Sequence, residues 1–267
     1  MFEQPADFCA ESDALYNILT PLNEADFGRA TLFKGWTIND VLSHLHTWNR
    51  AADASLNDPE EFAVMSHQLG AALAAGKTIR EFEKSWQAGL AGRALLEAWR
   101  GYYREMTPRF TAADPKLRVK WVGPDMSVRS SITARLMETW AHGQAVYDML
   151  GIERHDADRI KNIAVLAVNT FGWAYVNRGL KVPENPPHIR LTGPSGALWS
   201  WNPPAEDNLV EGAATEFCQA AAQVRNVADT QLKVVGETAQ HWMSIIQCFA
   251  GPPEQPPAPG ARFVNRR

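Results

Sequence analysis

The sequence predicts a large helical domain followed by a small α+β domain. Up to about residue 180 it reads as a series of amphipathic helices separated by short loops. The character changes at the segment KVPENPPH, whose three prolines indicate a linker. Beyond this linker, short alternating runs indicate strands. We therefore predict a helical bundle over residues 1–180 and an α+β domain over residues 181–267.

The helical part contains recognisable start and stop signals. Thr37 and Asp40 form a capping-box pattern, and Pro59 has the position of a first-turn proline. Pro108 should end the fourth helix, Ser127 or Ser130 should cap the fifth, and Asp156 the sixth. The expected helices cover residues 7–19, 38–56, 59–75, 79–106, 128–150 and 157–179. Four of these are long, with connections of varied length, which is typical of a four-helix bundle.

The second domain should contain four strands and two helices. The strand-like runs are HIRLTG, ALWSWN, DNLVEGA and LKVVGE. The helical runs are ATEFCQAAAQV and ETAQHWMSIIQCFAG, which gives the order strand, strand, strand, helix, strand, helix. The proline-rich tail from Gly251 should be extended and poorly packed.

The composition excludes several functional classes. The net charge is -4 and the pI about 6.0, and no basic run accompanies the aromatic residues, so we expect neither nucleic-acid nor anionic-membrane binding. No run approaches the roughly 20 apolar residues of a membrane span, and the acidic N-terminus lacks signal-peptide features. The three widely spaced cysteines fit free thiols. We expect a cytoplasmic protein that acts on a small molecule.

The first candidate site is a glutamate and histidine pair in ETWAHG. Glu138 and His142 are four residues apart, so both project from one face of a helix and can reach one point beside it. Alone, this pair is more often a surface hydrogen bond than part of a metal site. A catalytic zinc site needs a third protein ligand and keeps one position open.

His44 and His46 are the two histidines to compare as a third ligand. They lie about 200° apart around their helix, so we expect only one of them to face inward. His44 shares its face with Val41 and Trp48, and we predict that it is the inward one. Asp40 could either accept a hydrogen bond from the His44 ring or cap the helix, and we favour the cap.

Arg135 is a candidate for binding substrate. It precedes Glu138 by three residues and shares its helix face. It could simply pair with Glu138. If this face lines a pocket, it could instead hold an anionic group of a substrate.

Two motifs resemble those of a known family. GWTINDVLSHL, residues 35–45, and METWAHG, residues 137–143, resemble motifs of the mycothiol-dependent maleylpyruvate isomerase family, whose N-terminal domain belongs to the DinB-like metal-binding bundles. The resemblance implies that His44, Glu138 and His142 bind zinc or another divalent metal, with water as the fourth ligand. IRLTGPSGALWSW, DNLVEGA and VVGETAQHW resemble the sterol-carrier-like domain attached to these bundles. Relatives often have an aspartate where this chain has Ala145.

The resemblance also implies a chemistry. An open metal site would bind and ionise a low-molecular-weight thiol, so we predict a thiol-dependent isomerase or S-transferase that acts on a small, anionic substrate. One alternative is a metal hydrolase that activates water at the same ligands. The other is a non-enzymatic protein with a structural metal and an apolar ligand in the second domain.

Overall fold

The computed structural model describes residues 2–262, which form two compact units. The first unit extends to Met149 and the second begins at Leu150. The helices are α1 Gln4–Leu19, α2 Ile38–Asn57, α3 Pro59–Ala74, α4 Ile79–Trp86, α5 Gly92–Ala112, α6 Val128–Leu150, α7 Lys161–Asn169, α8 Phe171–Val176, α9 Ala214–Ala221 and α10 Glu237–Ile245. The strands are β1 Arg118–Val119, β2 Met126–Ser127, β3 His188–Thr192, β4 Leu198–Trp201, β5 Leu209–Ala213 and β6 Lys233–Val235.

The first unit is organised around α2. This helix packs against α3, α4 and α5, and α5 also packs against α1. The interior between α1 and α5 contains Phe8 and Tyr103 in an edge-on ring contact, and neither side chain is exposed to solvent. Because α2 has neighbours on several sides, most of its residues are buried, including polar ones.

The second unit contains a mixed sheet with the order β4-β3-β5-β6. β3 is antiparallel to β4 and parallel to β5, while β5 is antiparallel to β6. α9 packs against β3 and β5, and α10 against β6, so Phe217 and Trp242 are buried. The predicted order of strands and helices after residue 187 is confirmed, as is a helical region followed by a small mixed region.

The predicted single helix over residues 79–106 is wrong. The chain turns between α4 and α5, where Ala88 and Gly89 have φ angles of 50° and 89°. The free N–H groups at the start of α5 are bound by remote side chains: Gly92 N–H donates to Asn39 at 2.7 Å and Arg93 N–H to Glu24 at 3.1 Å.

Pro108 does not end the fourth predicted helix, because α5 continues through it to Ala112. Met106 and Phe110, on either side of this proline, are fully buried. Their burial favours continuation of the helix although proline removes one backbone hydrogen bond.

The helix predicted over residues 157–179 is also divided. α7 ends at Asn169 and α8 begins at Phe171. The Thr170 hydroxyl between them donates to the Leu166 and Ala167 carbonyls, a local bond that competes with regular helix geometry. The predicted cap at Asp156 is wrong as well, because this carboxylate binds Thr215 and Arg154 instead.

The proline-rich tail is better anchored than we predict from its composition. Arg178 and Gln223 donate to the Glu254 carbonyl, and Asn226 donates to that of Pro257 at 2.8 Å. The described part of the tail forms no strand, so its backbone carbonyls lack strand partners. Side-chain amides and a guanidinium group bind these carbonyls instead. The described tail residues are mostly exposed and none is buried, which agrees with the predicted poor packing, but these hydrogen bonds anchor the segment at Glu254 and Pro257.

The domain division that we predict at residue 180 stays a prediction. The two compact units instead meet at Leu150 in the chain. α7 precedes residue 180 but packs against α9, so it belongs to the second unit. Among residues 2–262, no helix is both long and apolar enough to cross a membrane.

Candidate metal centre

Three side chains predicted as ligands come together in the first unit. Glu138 Oε2 lies 3.3 Å from His44 Nε2 and 3.1 Å from His142 Nε2. Potential ligand atoms of all three lie within 4.8 Å of one another. The side chains are 20%, 14% and 10% exposed for Glu138, His44 and His142, so the cluster is largely enclosed but keeps contact with solvent.

Local sequence signals position the two helices that carry these residues. Thr37 and Asp40 form the predicted capping box at the start of α2, which confirms the cap as the role of Asp40. Ser127 accepts a hydrogen bond from the Ser130 N–H at 3.1 Å at the start of α6. Both caps satisfy free N–H groups and fix where each helix begins.

The donor set fits a divalent metal. Two imidazole nitrogens and one carboxylate oxygen are a common catalytic zinc set that leaves a fourth position open. A tetrahedral ion with bonds of about 2.1 Å spaces its ligands by about 3.4 Å. The observed separations of 3.3 and 3.1 Å are close to this value.

The charges of the cluster also favour a cation. Burial disfavours protonation of His44, but the negative charge of Glu83 and hydrogen bonding to Glu138 outweigh it and raise its pKa to about 9. Burial raises the pKa of Glu138, yet hydrogen bonds from the two histidines hold it well below its ordinary value. Burial and the charge on His44 lower the pKa of His142. The carboxylates of Glu83 and Glu138 thus supply negative charge next to the imidazoles.

His46 is not part of this cluster, and the prediction that it faces outward is wrong. It is only 6% exposed and packs edge-on against Tyr102, with ring centroids 5.5 Å apart. Burial, with a smaller contribution from the charge of Arg50, lowers its pKa to about 4. The expectation that only one of these histidines faces inward assumes that α2 has one buried and one exposed face. It fails because α3, α4 and α5 cover this helix on several sides.

Glu83 is the functional candidate that sequence reasoning missed. Its side chain is 1% exposed, and Oε1 lies 2.7 Å from His44 Nδ1. Trp48 Nε1 donates to the same oxygen at 2.7 Å. A carboxylate thus contacts the ring nitrogen of His44 that faces away from Glu138.

Aromatic rings cover the other side of the cluster. The Trp36 ring is parallel to that of His142, with centroids 5.1 Å apart, and Phe33 meets His142 edge-on at 4.9 Å. The turn that presents Trp36 requires a φ of 67° at Gly35, a conformation that glycine adopts without strain. Gly35 and Trp36 of the sequence motif therefore help to position the His142 ring.

Arg135 lies beside the cluster and does not form the simple pair with Glu138 that we considered. It is 5% exposed, and its Nη1 is buried without a hydrogen-bond partner within the described residues. Its guanidinium lies 5.5 Å from the Trp121 ring centroid. Trp121 contacts Trp48, which contacts His44, with ring centroids 5.7 and 6.2 Å apart. A continuous aromatic wall therefore connects Arg135 with the cluster.

Comparison with protein families and curated proteins gives a family match over about half of the chain and a relative that matches almost all of it. The family model described as "Mycothiol maleylpyruvate isomerase N-terminal domain" matches residues 8–147, a range that includes all three clustered side chains. An uncharacterized protein of Mycobacterium tuberculosis, found in two strains, is 36% identical over 248 residues. The match covers 93% of this chain and 95% of that protein.

Two solved structures share the fold. One is the crystal structure of the mycothiol-dependent maleylpyruvate isomerase, which matches with a TM-score of 0.53 at 16% identity. The other, a histidine-to-alanine mutant under the same name, matches with a TM-score of 0.52 at 17% identity. Each match covers 83% of this chain and 88% of the solved chain.

Proposed function

Because the chain belongs to the family of the mycothiol maleylpyruvate isomerase N-terminal domain, we propose that it is a zinc-dependent isomerase that uses a low-molecular-weight thiol. His44, Glu138 and His142 are the proposed ligands. The observation that carries the proposal is the convergence of two imidazoles on one carboxylate oxygen, at 3.3 and 3.1 Å. We further propose that the first unit is a DinB-like four-helix bundle and the second a sterol-carrier-like domain.

The three proposed ligands would leave the fourth coordination position of a zinc ion open. When bound there, zinc would act as a Lewis acid that keeps a thiol ionised near neutral pH. The single carboxylate of Glu138 neutralises only part of the charge of a divalent ion. Trp36 and Phe33 restrict rotation of the His142 ring, so this ligand is held ready.

Arg135 is the proposed binding group for an anionic part of the substrate. A buried guanidinium is costly unless it is paired, and Nη1 has no partner within the described residues. A carboxylate of the substrate would supply that partner. The rings of Trp48 and Trp121 provide an apolar surface between this guanidinium and His44, and electrostatic attraction is stronger beside such a surface than in bulk water.

The reaction fits these two subsites. The sulfur of the thiol adds to one carbon of a conjugated cis double bond, and the carbanion formed is delocalised into the adjacent carbonyl. Rotation about the resulting single bond and elimination of the same thiol give the trans product and regenerate the thiol. Arg135 would hold the carboxylate while the rest of the substrate rotates.

The test is turnover of maleylpyruvate by the zinc-loaded protein with and without mycothiol. We expect isomerisation that requires the thiol and disappears in Glu138→Gln. A stable thiol adduct as the sole product would indicate an S-transferase instead. Hydrolysis of an ester without thiol would favour the metal hydrolase. Absence of thiol-dependent turnover would contradict the proposal.

A further inference from the structure

We infer that Glu83 is a positioning residue for the proposed metal site, through its contact with His44; this inference rests on the proposed function. Glu83 and His44 are 39 residues apart in the chain, on α4 and α2. Glu83 Oε1 lies 2.7 Å from His44 Nδ1, while His44 Nε2 faces Glu138. A carboxylate that accepts the Nδ1–H leaves Nε2 with a free lone pair for a metal.

The carboxylate of Glu83 is buried and therefore needs hydrogen-bonding partners. The side chain is 1% exposed, and a buried carboxylate destabilises a protein unless it is hydrogen-bonded or paired. Trp48 donates to the same oxygen at 2.7 Å and fixes the carboxylate next to the histidine ring. Glu83 thus orients both His44, a proposed ligand, and Trp48, a residue of the aromatic wall.

The position of α4 is rigidly set on both sides of Glu83. Phe82 is 3% exposed and belongs to the apolar cluster formed with α2 and α3. Gln87 donates to the Ser43 carbonyl at 3.2 Å and to the Thr47 hydroxyl at 2.6 Å. α4 is therefore attached to the turn of α2 that carries His44, and Glu83 has little freedom to move.

Glu83 also changes the charge around the metal. Glu138 and Glu83 together place two carboxylates at opposite ends of the His44 ring. The hydrogen bond from Nδ1 to Glu83 raises the basicity of Nε2 and so strengthens its bond to a metal. A neutral amide at this position would accept the hydrogen bond but supply no charge.

The experiment compares Glu83→Gln with Glu81→Gln, a matched control on the same helix. Glu81 is exposed and caps α4 through Thr78 without contact to His44. Zinc affinity is measured by competition with a chelator, and the visible spectrum of the cobalt(II)-loaded proteins reports ligand geometry. The indole N–H resonance of Trp48 reports the Glu83 hydrogen bond.

We expect Glu83→Gln to bind zinc about 10- to 100-fold more weakly than wild type and to shift the cobalt bands at saturation. The Trp48 resonance should shift in the same variant, and Glu81→Gln should match wild type in all three. Equal zinc affinity and spectra in Glu83→Gln and wild type would overturn the positioning role alone. Failure of wild type to bind zinc would overturn the proposed function and the role with it.

Discussion

Replacement of Arg135 by methionine should stabilise the protein while it impairs substrate binding. Methionine retains an unbranched apolar stem but removes a buried positive charge. Arg135 is 5% exposed, and its Nη1 has no hydrogen-bond partner within the described residues. A buried guanidinium that is retained for function lowers the stability of the folded protein.

The magnitude follows from two opposing effects. A buried donor without a partner costs about 1–3 kcal/mol, in addition to the desolvation of the charge itself. Contact with the Trp121 ring at 5.5 Å and attraction to Glu138 recover part of this cost. We therefore expect Arg135→Met to raise the free energy of unfolding by about 1–2 kcal/mol.

Urea unfolding of the metal-free proteins measures this difference. Arg109→Met is the matched control, because Arg109 pairs with the buried carboxylate of Asp53. Its removal leaves that carboxylate without its cationic partner and should lower stability. The reasoning is refuted if Arg135→Met is destabilised as strongly as Arg109→Met.

Two further predictions concern α2. The pKa of His46 is about 4 in the folded protein against an ordinary 6.5, so the unfolded chain binds the proton more tightly and stability declines as pH falls from 6.5 toward 4. Between pH 7.5 and 5, wild type should lose about 2 kcal/mol more than His46→Gln in urea unfolding, and parallel losses would contradict this. Thr37→Ala should cost about 1 kcal/mol by removing the cap, whereas Thr37→Ser should retain most of it in the same assay.

Features that depend on neighbouring residues could be predicted from the sequence. The capping box of Thr37 and Asp40 follows from hydrogen bonds between residues three apart. The contact between Glu138 and His142 follows from helix periodicity. The strand order after the prolines follows from alternation and turn residues, which act over a few residues.

Features that depend on packing between distant segments could not. Glu83 reaches His44, 39 residues earlier in the chain, because α4 packs against α2. The break between α4 and α5 likewise involves remote residues, because Asn39 and Glu24 bind the start of α5 from elsewhere in the chain. The burial of His46 likewise depends on Tyr102, more than 50 residues away. No local pattern encodes these contacts.

Zinc content of the purified protein tests the central claim most directly. The protein is expressed with zinc, separated gently from free metal, and compared with His44→Ala and Glu138→Gln. His46→Ala, which removes a histidine outside the cluster, is the control. We predict near-stoichiometric zinc in wild type and His46→Ala and strong loss in the other two. Equal, negligible zinc in all four proteins would contradict the account.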